Sequence, residues 1–315
     1  MITVDDRSAL ARWSEPGLGQ RLGSPVCPPV PWQTDGASVR DEAVLRAAQL
    51  AATPEHPLHV LVSDPARRIR LPGVISHVWS TELPDGALLR LTPEVLIVSP
   101  SFCLQNISAR SDEVVAAVAA MEICGSYGRS AGAPDGFYKR APLETVEHLR
   151  EHFAATHSHG ARRARVAVAH VVPGSRSPME TVVVLLFTLP VSLGGCGLPA
   201  PELNARIEIP TSLRAALGKP YVVVDLCWTD RRVILEYDSY LWHSSARAVD
   251  SDSTRNEGLR DEGWMVRSVT AGMLSNDAMR RELVAKVTAR FGRALLATEA
   301  FDRLQHDLVH RLLRC

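Results

Sequence analysis

Residues 221–243, which read YVVVDLCWTDRRVILEYDSYLWH, constrain the fold more than any other stretch of the chain. Val, Ile, Tyr and Trp dominate its two arms, as they do in β-strands, and the polar residues TDRR between the arms indicate a turn. The stretch therefore predicts an antiparallel hairpin. If the hairpin is symmetric about Asp230 and Arg231, Asp225 on one strand faces Glu236 on the other, with Cβ atoms about 4.5–5.5 Å apart.

Three carboxylates then share one face of this hairpin, because side chains alternate along a strand and Asp238 points to the same side as Glu236. Like charges that face each other destabilise a ladder, and burial raises the pKa of a carboxyl group. A cation, a nearby Arg or a shared proton would compensate, and Mg²⁺ needs only a few carboxylates because it keeps several of its waters. The alternative, an edge hairpin with solvated acids, stays open, although the runs VVVD and VILE indicate buried strands.

Two further residues are candidates for the same site. Ser177, Pro178 and Glu180 predict the start of a helix, at the N-cap, N1 and N3 positions of a capping box. The capping box is a sufficient structural explanation for Glu180. Because Glu180 lies near a helix end, however, the carboxylate of Glu180 could also enter a site. His243 lies just beyond the hairpin acids and is a candidate general base or phosphate donor, with a surface or capping histidine as the alternative.

The charge of the chain limits how it would bind nucleic acid. The 315 residues have a formal net charge of zero, and 46% of them are hydrophobic, which fits one large or two ordinary globular domains. Without an overall basic excess, a nucleic-acid-binding surface has to be a local patch. The cluster of Arg162, Arg163 and Arg165 is one candidate and Arg255 is another. The simpler explanation for the cluster is a solvated helix face, and the simpler explanation for Arg255 is a local ion pair with Asp252.

Cysteine usage and hydropathy predict a cytoplasmic protein. The six cysteines are scattered without a CxxC pair, so they indicate neither a zinc site nor a redox motif, and buried thiols in a reducing cytosol are expected. The N-terminus lacks an apolar signal core, and the longest apolar run, residues 182–193, is shorter than the roughly 20 residues that span a bilayer. We therefore expect no membrane contact, and no pattern indicates a small-molecule cofactor.

Changes in composition divide the chain into four segments. Residues 1–37 are rich in Pro and Gly and predict an irregular arm. Residues 38–140 predict an α+β domain whose role the sequence does not indicate. Residues 141–164 predict a helical linker, and residues 165–315 predict an α/β domain that ends in helices. Four apolar positions of the last helix would pack on the sheet or on a partner subunit, so a homodimer stays open; they are Leu304, Leu308, Leu312 and Leu313.

The second half resembles the PD-(D/E)XK, restriction-endonuclease-like superfamily, in particular small bacterial endonuclease-like domains related to very-short-patch-repair endonucleases. The resemblance covers roughly residues 165–275 and depends on the order of several short motifs. The motifs are SPMET with Glu180, VVVDLCW with Asp225, VILEYDSYLWH with Glu236, Asp238 and His243, and finally DSTRNEGLRDEGWMVRSVT.

This resemblance implies a mixed sheet flanked by helices and a metal-dependent DNA endonuclease. Asp225 and Glu236 would ligate Mg²⁺ or Mn²⁺, Glu180 would be an accessory acid, and His243 would match the histidine of the repair enzymes' Phe-Trp-His segment. The chain departs from the broad superfamily at Asp238, where Lys is common, although the nearer branch is similar to this sequence in having Asp there.

The first half is similar to modules that precede such domains in actinobacterial proteins related to abortive-infection type IV antitoxins. The similar segments are HVLVS, GVISHVWS with His77, and LTPEVLIVSPSFCLQNIS. The missing Lys and the neutral net charge favour a second hypothesis beside the endonuclease. In that hypothesis the chain is a DNA-binding regulator or antitoxin-like protein that keeps the nuclease fold without turnover. DNA is the expected partner in both hypotheses.

Overall fold

The computed structural model describes residues 1–22, 39–50, 52–209, 214, 218–238, 255–294 and 298–314. The chain divides into two compact units, Met1–Ala169 and His170–Cys315. Each unit has its own mixed sheet and its own helices. The α/β class predicted from the sequence is therefore confirmed.

The sheet of the first unit has five strands in the order β3-β2-β1-β5-β4. The pairs β1–β5 and β2–β3 are parallel, and the pairs β1–β2 and β4–β5 are antiparallel. The strands are β1 (Ile2–Val4), β2 (Leu58–Val62), β3 (Val74–Val78), β4 (Leu88–Thr92) and β5 (Val95–Val98). A separate antiparallel pair is formed by β6 (Tyr127–Arg129) and β7 (Phe137–Lys139).

The start of the chain differs from the predicted irregular arm over residues 1–37. Strand β1 is the middle strand of the sheet, and its three residues are buried. A helix follows directly at Asp6–Trp13, and the Trp13 indole N–H donates to the Val98 carbonyl at 2.9 Å. Three strand residues are too few to show an alternating pattern, so β1 could not be predicted from the sequence. Residues 23–38, the Pro-rich part of the predicted arm, lie outside the described residues.

The predicted linker, residues 141–164, belongs to the packed interior of the first unit. It contains the helix Val146–Ala155, and the helix that follows, Ala161–Ala169, packs against that helix and against Pro100–Arg110 and Glu113–Cys124. The buried positions of Ala161–Ala169 recur at helical spacing, which explains this packing. The helices of the unit are α1 (Asp6–Trp13), α2 (Leu18–Arg21), α3 (Val39–Ala47), α4 (Pro100–Arg110), α5 (Glu113–Cys124), α6 (Val146–Ala155) and α7 (Ala161–Ala169).

The second unit contains the predicted hairpin at the centre of a four-stranded mixed sheet with the order β11-β10-β9-β8. Strands β8, β9 and β10 are antiparallel, and β11 is parallel to β10. Trp228 pairs with Val233 and Leu226 with Leu235, as expected for a hairpin symmetric about its TDRR turn. The strands are β8 (Glu202–Glu208), β9 (Tyr221–Trp228), β10 (Val233–Tyr237) and β11 (Met265–Val269).

Helices precede, connect and follow these strands. Helix α8 packs on β9 and β10, and a parallel β10–β11 pair requires a crossover, part of which is the helical segment 255–261. Of the four predicted apolar positions in the last helix, Leu308 and Leu312 are buried, and that helix packs on α8. The helices are α8 (Pro178–Thr188), α9 (residues 255–261), α10 (Ala271–Ser275), α11 (Asp277–Ala289) and α12 (Glu299–Arg314).

None of the described helices is both long enough and apolar enough to cross a bilayer.

Candidate functional site

Asp225 and Glu236 meet where the backbone ladder between β9 and β10 ends. The last backbone pair is Leu226 with Leu235. Beyond it, the Asp225 N–H donates to Glu236 Oε2 at 3.3 Å, and the Tyr237 N–H donates to Asp225 Oδ2 at 2.8 Å. Each carboxylate thus accepts a backbone N–H from the opposite strand, so the two acids lie between the strands.

Glu180 reaches the same region from the first turn of α8. The Ser177 hydroxyl accepts the Glu180 N–H at 3.1 Å, which confirms Ser177 as the N-cap. The Glu180 side chain is bonded differently from a standard capping box, because its Oε2 accepts the N–H of Arg176 at 2.9 Å rather than that of Ser177. The same oxygen accepts Asn204 Nδ2 at 3.0 Å, and Glu180 is only 7% exposed.

Asn204 is a site residue that sequence reasoning missed. It lies within β8 but has a φ of +52°, and the β8–β9 pairs are formed by its neighbours Leu203 and Ala205. By this register Asn204 lies opposite Asp225, while its side-chain amide bonds Glu180 and the Gly174 carbonyl. Left-handed backbone is uncommon for a residue other than Gly, although Asn tolerates it better than most, and such strain clusters at functional sites. A single Asn in the segment PELNAR carries no stronger signal of this conformation.

Burial dominates the electrostatics of Asp225 and Glu180. Desolvation raises the pKa of Asp225, and the N–H of Tyr237 and the guanidinium groups of Arg255 and Arg176 only partly offset it. Desolvation also raises the pKa of Glu180, and the negative charge of Asp225 acts in the same direction, against the hydrogen bond from the Arg176 N–H. Asp225 and Glu180 therefore lie in a desolvated region where nearby positive groups only partly compensate their negative charge.

Arg255 balances Glu236. Its Nη2 donates to Glu236 Oε1 at 2.9 Å, and the two side chains are 20% and 16% exposed. From the sequence, a cation, a nearby Arg or a shared proton was expected to compensate the opposed carboxylates. For Glu236, the structure shows the nearby Arg. The Asp252 partner predicted for Arg255 lies outside the described residues.

Of the other two predicted members of the acid site, the structure describes Asp238 and does not describe His243. Asp238 is exposed, and its N–H donates to the Val269 carbonyl at 2.8 Å. His243 falls in residues 239–254, outside the described part of the chain. Among the described residues, the acids of this unit do not supply a group of three ligand atoms that all lie within 4.8 Å of one another.

The predicted basic cluster lies on α7 of the first unit, and two of its members stabilise helix ends. Arg163 Nη1 donates to the Ala109 carbonyl at 3.0 Å, near the end of α4. Arg165 Nη1 donates to the carbonyl groups of Phe153 and Thr156, at 2.5 and 2.9 Å, at the end of α6. The side chain of Arg162 is exposed. The structure therefore gives Arg163 and Arg165 a packing role that their sequence did not indicate.

A second cluster of potential metal ligands, formed by Asp6, His59 and His77, lies in the first unit. One ligand atom from each residue lies within 4.8 Å of the other two. His59 Nδ1 is 2.8 Å from His77 Nε2, and His77 Nε2 is 3.8 Å from Asp6 Oδ2. The sequence predicted an α+β domain around both histidines, but it did not indicate which strands pair, and it placed Asp6 in an irregular arm.

Arg110 links this cluster to a buried acid. Its Nη1 lies 3.3 Å from Asp5 Oδ2 and 3.2 Å from Asp6 Oδ2. Burial raises the pKa of Asp5 to about 6, and the Arg110 charge only partly opposes this. Burial, reinforced by Arg110, lowers the pKa of His77 to about 4, and burial also lowers that of His59. Both imidazoles are therefore neutral near pH 7.

Two uncharacterized proteins of Mycobacterium tuberculosis, one from strain CDC 1551 and one from strain H37Rv, are each 32% identical to this chain over 104 residues. The match covers 32% of this chain, which spans about a third (34%) of the length of each of these relatives. No family model matches the chain, and no solved structure matches it significantly. The similar proteins bring no assigned activity, so the function has to be inferred from the geometry of the sites.

Proposed function

We propose that the C-terminal unit is a metal-dependent DNA endonuclease, which hydrolyses phosphodiester bonds with Mg²⁺ or Mn²⁺ held by Asp225 and Glu236. The observation that carries this proposal is the meeting of the two carboxylates at the end of the β9–β10 ladder. Glu180 supports it as an accessory acid, because Asn204 holds its carboxylate in the same region. The resemblance of the motifs around these residues points to the same chemistry.

The donor set fits a hard divalent cation. Asp225 and Glu236 offer carboxylate oxygens, which Mg²⁺ and Mn²⁺ prefer, and Mg²⁺ usually needs only one or two carboxylates beside water and substrate phosphate. Burial raises the pKa of Asp225 even with two guanidinium groups nearby, so the site can accept more positive charge. When bound there, the cation would stabilise charge on the phosphodiester and lower the pKa of the attacking water.

Arg255 has to serve two partners in this proposal. Its guanidinium is bonded to Glu236, and a DNA phosphate is an alternative partner of the same geometry. Transfer of Arg255 to a phosphate would release Glu236 Oε1 for the cation, so metal binding and DNA binding would support each other. Of the Arg162, Arg163 and Arg165 cluster, the exposed Arg162 is the candidate for a further backbone contact, because Arg163 and Arg165 are bonded to helix ends.

In the sequence, Asp238 rather than a Lys occupies the position two residues after Glu236, so this position supplies no ammonium group to assist the water. In the proposal, Asp238 therefore completes or orients the metal site from its exposed position. His243 takes the proton of the attacking water or donates to the phosphate.

A cleavage assay with matched variants tests the proposal. Supercoiled, linear and single-stranded DNA are incubated with Mg²⁺ or Mn²⁺ and the wild type, Asp225→Asn or Glu236→Gln. Both variants are expected to lose more than about 100-fold in rate, since even outer partners of a metal contribute 10–100-fold. The control is Asp230→Asn, which changes a 71% exposed acid in the turn of the same hairpin and is expected to cleave normally. Intact DNA on all substrates, with no binding of either metal, would overturn the proposal.

The second candidate function is DNA binding without turnover, and the Arg255–Glu236 pair at 2.9 Å favours it, because an internal cation already compensates Glu236. This function requires salt-dependent DNA binding that persists without metal and in Asp225→Ala. Calorimetric titration of Mn²⁺ into the wild type and into the Asp225→Ala/Glu236→Ala double variant separates the two candidates. Metal binding that only the wild type shows favours the endonuclease.

A further inference from the structure

The strongest feature outside the acid site is the cluster of Asp6, His59 and His77 in the first unit. We infer that these three residues form a binding site for a divalent transition-metal ion of the Zn²⁺ class, independent of the proposed endonuclease centre. The first observation in support is that one ligand atom from each residue lies within 4.8 Å of the other two.

The two histidines converge because of the strand register. His59 lies on β2 and His77 on the neighbouring parallel strand β3, where His59 pairs with Ile75 and His77 with Leu61. Residues that pair, and residues two apart along one strand, share a face of the sheet. Both imidazoles therefore lie on one face, where their rings stack with centroids 5.1 Å apart.

Asp6 is brought to this face by a strained backbone. It follows β1, the other neighbour of β2, and its φ is +53°, a left-handed conformation that is strained for a residue with a side chain. The connection from β1 to α1 is tied to the histidine strand on both sides of Asp6. The Asp5 N–H donates to the His59 carbonyl at 3.0 Å, and the His59 N–H donates to Ser8 Oγ at 2.9 Å.

The outer partners fix the aspartate further. Asn106 Nδ2 donates to Asp5 Oδ1 at 2.7 Å, and Arg110 bonds the carboxylates of both Asp5 and Asp6. Arg110 pairs with both carboxylates, and the charges of Arg7 and Arg68 also act on the imidazoles. The donor set of two imidazole nitrogens and one carboxylate, rather than the net charge, is what suits a cation. Metal sites are commonly supported by such hydrogen-bonded outer groups.

The ligand types select the metal. Imidazole nitrogens suit Zn²⁺, Ni²⁺, Co²⁺ and Cu²⁺, whereas Mg²⁺ prefers a set made only of oxygens. In a tetrahedral site with Zn–N distances of about 2.0–2.1 Å, two ligating nitrogens lie about 3.3 Å apart. His59 Nδ1 and His77 Nε2 are 2.8 Å apart, so a small outward shift would admit the ion. Three protein ligands leave one position for water or a ligand, and the His77 side chain is 15% exposed.

Cobalt absorption spectroscopy on the chelator-treated full chain tests this site. Co²⁺ bound by nitrogen and oxygen ligands gives visible d–d bands, and Zn²⁺ should displace it. We expect one Co²⁺ per chain to contribute these bands, with an affinity that falls more than about 100-fold in His59→Gln and in His77→Gln. His56→Gln is the matched control, since it removes an exposed histidine three residues from His59. Asp225→Asn/Glu236→Gln should also keep the bands, so failure here and failure of the proposed endonuclease are distinguishable.

A measurement on the wild type alone covers the case in which the histidine variants do not fold. In a histidine-selective ¹H–¹⁵N NMR spectrum, addition of Zn²⁺ should shift ring nitrogens of His59 and His77 and leave His56 unchanged. Absence of Co²⁺ and Zn²⁺ binding by the wild type would overturn the inference. Unchanged binding in a folded His59→Gln/His77→Gln double variant, or Zn²⁺-induced shifts confined to other histidines, would overturn it as well.

Discussion

Asn204 combines a left-handed backbone with a side chain that donates to a buried carboxylate. The backbone strain is retained although β8 continues on both sides of the residue. In this conformation the side-chain amide of Asn204 donates hydrogen bonds to Glu180 and to the Gly174 carbonyl, which compensate for the strain. Strain at a single position is therefore coupled to the placement of an acid in the proposed site.

Substitutions at Asn204 separate the backbone strain from the hydrogen bonds. Asn204→Gly loses the two hydrogen bonds but accepts the positive φ, whereas Asn204→Ala loses the bonds and also keeps the strain. We expect Asn204→Ala to lower the free energy of unfolding by about 2–4 kcal/mol, and Asn204→Gly to be more stable than Asn204→Ala by about 1 kcal/mol. Urea unfolding of the three proteins measures both differences. Equal stability of the two variants would show that the strained backbone is absent.

At the scale of elements, the sequence predicted structure that neighbouring residues determine, but it did not predict the strand pairing between distant segments. The TDRR turn and the apolar arms predicted the register of β9 and β10, because a hairpin is set by neighbouring residues. Likewise Ser177 and Pro178 marked the start of α8. Strand β1 was missed since its place is set by pairing with residues 58–62 and 95–98, far along the chain. The packing of helix α7 was not predicted either, because its three arginines indicated a solvated helix, whereas the alanines on its other face are buried.

The arginines of α7 allow packing to be distinguished from DNA binding. Arg165 donates to two carbonyl groups at the end of α6, and hydrogen bonds from a charged donor contribute about 1.5–3 kcal/mol. We expect Arg165→Gln to lower the free energy of unfolding by about 2 kcal/mol. The exposed Arg162→Gln should change it by less than about 0.5 kcal/mol.

Thermal and denaturant unfolding measure these differences, and the salt dependence of DNA binding supplies a second readout. If Arg162 contacts a phosphate, Arg162→Gln reduces the salt slope of binding without loss of stability. An Arg165→Gln protein as stable as the wild type would contradict the packing role.

At the scale of the molecule, the chain carries two clusters of different ligand chemistry in two units. The acids of the second unit lie on adjacent strands joined by a short turn, so their convergence could be predicted from the sequence. Asp6, His59 and His77 come from three separate parts of the chain, and only the strand order β3-β2-β1 brings them together. No spacing pattern connects them, so the sequence did not indicate this cluster.

The division into Met1–Ala169 and His170–Cys315 predicts that the two metal chemistries can be separated physically. Each fragment contains a complete mixed sheet with the helices that cover it, so each should fold when it is produced alone. We expect cooperative unfolding by circular dichroism for both fragments. Co²⁺ should bind to the first fragment and Mn²⁺ to the second, with affinities within about threefold of those of the full chain, because all described ligands of each cluster lie within one unit. A folded first fragment that binds no Co²⁺, while the full chain does, would mean that residues after 169 complete the histidine site. The same outcome for Mn²⁺ and the second fragment would place a ligand of the acid site before residue 170.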